Sequence, residues 1–273
     1  MPQNRTYPLH HTRILAAFVG VGLVAASCGS TADPGTSPQA AETAPSAPTG
    51  QLTVLAAASL TDAFEAMADT LAEEYPDLEI VFSFGPSSGL VEQALAGAPA
   101  DVLATADPAT MDSAVEGGII SGDPVVFARN TLTLAVPEGN PAGVSSLDDL
   151  ARDDLRIALC EPQVPCGATS ERLLDAAGVT AAPDTLESDV RDVTGKVALG
   201  EVDAALIYRT DAAVMPDAID TIDVPGADEV VNVYPVAVLS DAANVTAAEA
   251  FVQALAGDIG QQLLAGAGFL PPS

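Results

Sequence analysis

The chain has 273 residues, 48% of them hydrophobic, so it is long enough to build one large domain or two modest ones. It carries 38 Asp and Glu residues against 9 Lys and Arg, a formal net charge of −29. Nucleic acids and anionic lipids bind mainly to positive surfaces, so we expect neither as a partner. The two histidines, His10 and His11, fall in the predicted leader described next. Without them the exported chain has no Ser-His-Asp or Cys-His mechanism and no His-ligated zinc site.

Residues 1–27 have the pattern of an export signal. Arg5 and Arg13 supply the positive start, and residues 14–26 form an apolar run that is short for a membrane span. Small residues then precede Cys28, which is typical of a lipoprotein processing site. We therefore expect Cys28 to be lipidated, and the protein to be anchored by this lipid to the outer face of the cell membrane or to lie in the periplasm. A plain secretory signal is the alternative.

Residues 28–50 consist mainly of Pro, Ala, Ser, Thr and Gly, with a few acidic residues and no large apolar side chain. This composition predicts a flexible tether between the leader and a folded part that begins at Gln51.

From Gln51 onward, short apolar runs alternate with helical patterns. The predicted strands are 52–58, 78–83, 102–105, 125–127, 131–136, 155–159, 204–208 and 233–239. The predicted helices are 61–74, 90–96, 108–117, 168–177, 190–199 and a last one within 247–265. This alternation indicates the α/β class, with parallel sheets covered by helices. In such folds, ligands bind beyond the carboxyl ends of the strands.

Four segments combine small polar residues with the start of a predicted helix: residues 58–62, 85–89, 165–169 and 188–191. Each would direct backbone N–H groups from a helix N-terminus, where the helix dipole favours negative charge. Any one of them alone is explained by ordinary N-capping. Four together in an exported α/β protein favour an anion site.

The same segments lie in phrases that resemble the periplasmic molybdate-binding proteins of ABC importers. These phrases are VLAAASLTDA (54–63), FSF (82–84) together with Ser87 and Ser88, AGAPADV (96–102), ATAD (104–107), VPCG (164–167), DVR (189–191), LIYRTDA (206–212) and YPVAV (234–238). The resemblance covers roughly residues 52–270. It implies a type II periplasmic-binding-protein fold, in which two α/β lobes are joined by a hinge and bind the ligand in the cleft between them.

The resemblance also implies the organisation and the function of the chain. One lobe would hold residues 51–128 plus 234–273, and the other residues 129–233. The protein would be an extracytoplasmic substrate-binding lipoprotein of a molybdate or tungstate importer, with no cofactor and no enzymatic activity. Its partner would be the ABC permease of the importer, and we expect it to be a monomer.

The ligand set implied by the resemblance consists of neutral donors. Ser59 and Ser87 would donate hydroxyl groups from the first lobe, and Ser88 is an additional candidate beside Ser87. The backbone N–H groups of Cys166 and Val190 and the hydroxyl of Tyr208 would complete the site.

These donors suit a fully deprotonated tetrahedral dianion, which offers only acceptor atoms. Phosphate keeps a proton near neutral pH and needs an acceptor, so the set disfavours phosphate. Sulfate and tungstate remain open, and ferric iron is disfavoured because Tyr208 has no tyrosine beside it. We expect Arg191 and Arg209 to pair with nearby acids such as Asp189 or Asp211 rather than with the anion. An exported hydrolase is a weaker alternative, because no G-x-S-x-G phrase surrounds the serines.

Cys160 and Cys166 enclose five residues. Outside the cytoplasm a disulfide is the default state of such a pair. We predict that this disulfide also holds the Cys166 amide in place for the anion. A redox-active pair is the alternative, but the spacing is not C-x-x-C.

Overall fold

The computed structural model describes residues 47–273, so the predicted leader, the lipidation site at Cys28 and most of the tether lie outside the described residues. The strands are β1 (Gly50–Ala57), β2 (Leu78–Gly85), β3 (Val102–Ala104), β4 (Ile120–Asn130), β5 (Leu132–Pro137), β6 (Ile157–Cys160), β7 (Thr185–Glu187), β8 (Ala204–Tyr208), β9 (Ile219–Ile222) and β10 (Asn232–Leu239). The helices are α1 (Thr61–Glu74), α2 (Ser87–Leu95), α3 (Pro108–Glu116), α4 (Pro165–Ala177), α5 (Val190–Ala198), α6 (Arg209–Ala213), α7 (Val245–Ala256) and α8 (Asp258–Gly266). Within residues 47–273, no helix has the length and apolar character needed to cross a membrane.

The first sheet has the strand order β2-β1-β3-β10-β4 and is covered by helices on both faces. Leu52, Val54 and Ala56 of β1 pack in the same cluster as α1, α7 and α8, where Phe64 is fully buried. Leu55 belongs instead to the cluster that includes α2 and α3. Because side chains alternate along a strand, an apolar run such as β1 supplies both layers of the core.

The second sheet has the order β7-β6-β8-β5-β9, and its core includes α4 and α5. Two such α/β units confirm the predicted fold class. The expectation of parallel sheets is wrong in part, because β10 runs antiparallel to β3 and β4, and β5 runs antiparallel to β8 and β9. The short strands β7 and β9 escaped prediction because each carries too few apolar residues to produce a pattern. The last predicted helix is divided at Gly257 into α7 and α8.

The chain passes from one sheet to the other at two adjacent points. It leaves the first sheet after Asn130, at the end of β4, and returns at Asn232, at the start of β10. These two residues are register partners in the antiparallel β4–β10 pair, and each is only 1% exposed. The two crossings therefore lie side by side, which is the geometry of a hinge.

Candidate functional site

A small cavity lies where the two sheet units meet. Its lining residues are Ala57, Ala58, Ser59, Gly85, Pro86, Ser87, Ala106, Val164, Pro165, Cys166, Ser188, Asp189, Val190 and Tyr208. Ala57, Gly85 and Tyr208 are the last residues of β1, β2 and β8, so the cavity is at the carboxyl ends of strands, as expected for the α/β class. The structure thus brings together the predicted site residues Ser59, Ser87, Cys166, Val190 and Tyr208.

The size of the cavity limits the ligand. Its volume of about 20 Å³ exceeds the roughly 10–15 Å³ that a single water molecule requires. It is far smaller than the roughly 300–1,000 Å³ of sites for larger organic ligands. The cavity therefore suits a compact ion and not a sugar or a nucleotide.

Four helical starts line this cavity, one for each of the segments singled out in the sequence. A short 3-10 turn, Ala58–Leu60, leads into α1, and α2, α4 and α5 begin at the other three segments. The first N–H groups of a helix have no acceptor within the helix, and the dipole makes this end partly positive. These helix starts therefore place backbone donors and the positive ends of helix dipoles at the cavity, although the protein as a whole is strongly acidic.

Local sequence decides which of these N–H groups remain available. Pro165 is the first residue of α4 and has no N–H, so Cys166 supplies the first donor of that helix. At α5, the Asp189 carboxylate accepts the N–H groups of Arg191 and Asp192 at 2.8 and 3.1 Å. It does not accept that of Val190, whose N–H has no acceptor within the helix either. Asp189 is an acid in the lining, but its Oδ1 atom is occupied by this helix cap.

The hydroxyl groups in the cavity are arranged to donate. The backbone N–H of Ala106 donates to Ser87 Oγ at 3.0 Å, and the side-chain amide of Asn232 donates to Tyr208 Oη. A hydroxyl that already accepts a hydrogen bond can direct its own hydrogen elsewhere. Ser87 and Tyr208 are each 1% exposed and both line the cavity, and the Tyr208 hydroxyl also has the Tyr234 hydroxyl within hydrogen-bonding reach.

Ser59 belongs to the same network through a second buried tyrosine. Ser59 Oγ is 3.2 Å from the hydroxyl of Tyr234, and either atom can be the donor. Burial raises the pKa of Tyr208 well above its usual value, and burial does the same for Tyr234. Both phenols therefore keep their protons at neutral pH and remain able to donate.

Ser88 differs from its neighbour. Its side chain lines a separate groove with Glu92, Asp107 and Gln163, and it is not among the residues that line the small cavity. The structure therefore brings Ser87 into the cavity and leaves Ser88 outside it.

Sequence reasoning missed the residues that support the donors. Asn232 donates to Tyr208 Oη and to the carbonyl oxygen of Ala106, and its own carbonyl accepts a hydrogen bond from Thr169 of α4. One hinge residue thus contacts three elements of the cavity. Tyr234 belongs to one of the motifs that carry the family resemblance, YPVAV (234–238). Nothing in the sequence indicates that its hydroxyl lies beside Ser59.

The two arginines near the site pair with acids. Arg191 Nε is 3.1 Å from Asp211 Oδ1, as expected, and its Nη2 pairs with Asp62. Arg209 pairs with the exposed Asp223 at 3.4 Å rather than with Asp211. Burial raises the pKa of Asp211 to about 7, even though Arg191 opposes the shift.

The predicted disulfide between Cys160 and Cys166 is present, with a Cα–Cα distance of 5.8 Å. It joins the end of β6 to the first turn of α4. The enclosed loop lies tightly against this turn, because a Cβ atom on Gly167 would be 1.9 Å from the carbonyl oxygen of Glu161. The disulfide and the close approach at Gly167 both constrain the first turn of α4, which carries the Cys166 amide.

Comparisons with known proteins agree with this architecture. Residues 52–270 match the family described as bacterial extracellular solute-binding protein. The molybdate-binding protein ModA of Mycobacterium tuberculosis H37Rv is 37% identical over 261 residues, which cover 96% of this chain and 97% of that protein. ModA of Haemophilus influenzae is 30% identical over 234 residues, covering 82% and 91%.

A solved structure gives the same fold. The periplasmic molybdate-binding protein of Azotobacter vinelandii superposes with a TM-score of 0.68 at 22% identity, covering 81% of this chain and all of that one. The family match, the identities and the two-sheet architecture lead to one conclusion. The chain belongs to the family of the molybdate-binding protein ModA, within the bacterial extracellular solute-binding proteins.

Proposed function

We propose that this protein is the substrate-binding component of an ABC importer for molybdate, and that it also accepts tungstate. The observation that carries the proposal is the convergence of neutral donors from both sheet units on one small cavity. The names of the M. tuberculosis and H. influenzae relatives support the choice of molybdate. The function requires an ABC permease as partner and involves no chemical reaction.

In the proposed complex, the hydroxyls of Ser59, Ser87 and Tyr208 and the N–H groups of Cys166 and Val190 donate to the oxygens of the anion. Each charge-assisted hydrogen bond contributes roughly 1.5–3 kcal/mol. Five bonds near the upper end of this range, set against the lower association costs, correspond to micromolar affinity or better. The acidic surface does not prevent this, because its field is screened beyond about 8 Å at physiological salt.

The proposed mechanism places the hinge at Asn130 and Asn232. One lobe then carries the first sheet and the other carries the second, close to the boundaries expected from the sequence. Closure of the lobes would enclose the anion between donors of both, a hinge motion known for two-lobed binding proteins. A lipid at Cys28 and the 28–50 tether would keep a monomeric receptor close to the permease.

Titration calorimetry with molybdate, tungstate, sulfate and phosphate tests this function. We expect one-to-one binding of molybdate and tungstate at micromolar affinity or better. Phosphate should bind at least about 100-fold more weakly, because the five proposed ligand groups act as donors and give its proton no acceptor. Phosphate binding as tight as that of molybdate would indicate that the second carboxylate oxygen of Asp189, which lines the cavity, takes up that proton. Sulfate should bind more weakly than molybdate because it is smaller and cannot reach all the donors. Tight sulfate binding with weak molybdate binding would identify a sulfate receptor, and an absence of oxyanion binding would reject the proposal.

Replacement of both Cys160 and Cys166 by serine should have two separable effects. The free energy of unfolding should fall by about 2 kcal/mol, the loop-closure contribution of a ring this small. Molybdate affinity should fall by about tenfold, because the Cys166 amide is no longer held by the bridge. Denaturant unfolding and calorimetry measure the two quantities, and reduction of the native protein should reproduce both. Unchanged affinity would leave the disulfide a purely structural role.

A further inference from the structure

The side chain of Arg191 extends from α5 to the elements of the first sheet. Its Nη2 atom pairs with the carboxylate of Asp62 in α1, and its Nε atom donates to the carbonyl oxygen of Ala58 at 3.3 Å. Both partners belong to the first lobe, whereas α5 packs in the core of the second. Arg191 therefore makes a charged contact between the two proposed lobes.

The contact adjoins proposed anion donors at both ends. Arg191 follows Val190 directly, and Ala58 immediately precedes Ser59. Any opening that separates Val190 from Ser59 must also pull Arg191 away from Ala58 and Asp62. The contact can form only when the lobes are closed on the cavity.

A second contact, with Asp211, fixes the direction of the Arg191 side chain. Asp211 of the second lobe is 1% exposed, and neither of its carboxylate oxygens has a hydrogen-bond partner among the described residues. The Arg191 guanidinium, 3.1 Å away, is its counter-charge. Because a buried carboxylate is costly without a counter-charge, this pair anchors Arg191 to its own lobe and leaves Nη2 directed towards Asp62.

We propose that Arg191 is a positioning residue that holds the lobes closed through Asp62 and the Ala58 carbonyl, and so slows release of the bound oxyanion. This inference rests on the proposed function. Arg191 does not line the cavity, so it acts on the lifetime of the closed state and not on the anion itself. The pair is partly exposed, with 25% of the Arg191 and 49% of the Asp62 side chain accessible, which limits its effect.

The test is the rate of molybdate release from native protein and from Asp62→Ala, followed by stopped-flow tyrosine fluorescence after dilution. Asp62 is exposed enough to be replaced without loss of folding, whereas removal of Arg191 would leave Asp211 buried without its counter-charge. We expect release to become about two- to fivefold faster. Asp62→Glu keeps the charge and should restore a rate within about twofold of the native one.

Asp154→Ala is the matched control. It removes an acid that pairs with Arg152 within one lobe, 2.7 Å apart, and so changes the net charge equally without touching an interlobe contact. Its release rate should equal the native rate. A native rate in Asp62→Ala, or an equal acceleration in Asp154→Ala, would overturn the role of Arg191. Failure of the native protein to bind molybdate would instead overturn the proposed function.

Discussion

Replacement of Val190 by proline should weaken molybdate binding by on the order of 100-fold while leaving the fold intact. Val190 is the first residue of α5, a position that tolerates proline because its N–H is not needed by the helix. The preceding residue, Asp189, is already extended, with φ −150° and ψ 168°, which is compatible with a following proline. The substitution deletes one donor worth roughly 1.5–3 kcal/mol and puts a ring carbon where the anion oxygen would lie. Calorimetry gives the affinity, and circular dichroism checks the fold.

Other helices of this protein already begin with proline, and one helix away from the cavity provides a control substitution. Pro108 and Pro165 already occupy the start of α3 and α4. Asp258→Pro makes the same change at the start of α8, after the extended Gly257 and away from the cavity, and it should leave affinity unchanged. If Val190→Pro bound molybdate as tightly as native protein, Val190 would not be a ligand.

The parts of the site that sequence could predict are those fixed by local chemistry. A buried strand followed by small polar residues and an amphipathic run predicts a helix N-terminus, and all four such segments lie at the cavity. The range predicted for α1, residues 61–74, is confirmed, because Phe64, Met67 and Leu71 form one apolar face. Donors from the backbone are set by where a helix begins, which is a local property.

The parts that could not be predicted depend on contacts between distant segments. Ser87 and Ser88 are chemically alike. Because successive residues of a helix point in different directions, Ser87 lines the cavity whereas Ser88 lines a neighbouring groove. Asn232 opens β10 as a single polar residue within an apolar run, and nothing in the local sequence marks it as part of the site. Its role arises because β10 pairs with β3 and β4, which brings it to Ala106, 126 residues away along the chain.

Replacement of Asn232 by aspartate should also weaken molybdate binding by on the order of 100-fold at neutral pH. The native amide donates to Tyr208 Oη, so the phenol does not use its own hydrogen on Asn232 and can donate it to the proposed ligand. A carboxylate of the same shape has no N–H and would accept the Tyr208 proton instead, which removes one donor from the site. It would also place a buried negative charge behind a dianion, where screening is weak. Calorimetry at pH 7.5 measures the loss.

The pH dependence of this variant separates the proposed role from simple damage to the fold. Burial raises the pKa of a carboxyl group, so the introduced aspartate should gain a proton as the pH falls towards 5.5. A protonated carboxyl can donate to Tyr208 Oη as the amide does, so the affinity of the variant should recover at low pH. The native protein should change much less over the same range, because Asp211, whose pKa burial raises to about 7, does not line the cavity. A deficit that is independent of pH would indicate a structural defect.

A double-mutant cycle with Tyr208→Phe identifies the route of the effect. Tyr208→Phe alone should cost about 10–100-fold in affinity, because it deletes one hydroxyl donor. If Asn232 acts by orienting that hydroxyl, Asn232→Asp should cost much less in the Tyr208→Phe background than in the native one, leaving mainly the effect of the added charge. Multiplicative losses would mean that Asn232 supports the site through Ala106 or Thr169 instead. The size of the coupling thus measures how far a hinge residue, outside the ligand shell, fixes the direction of a hydrogen bond within it.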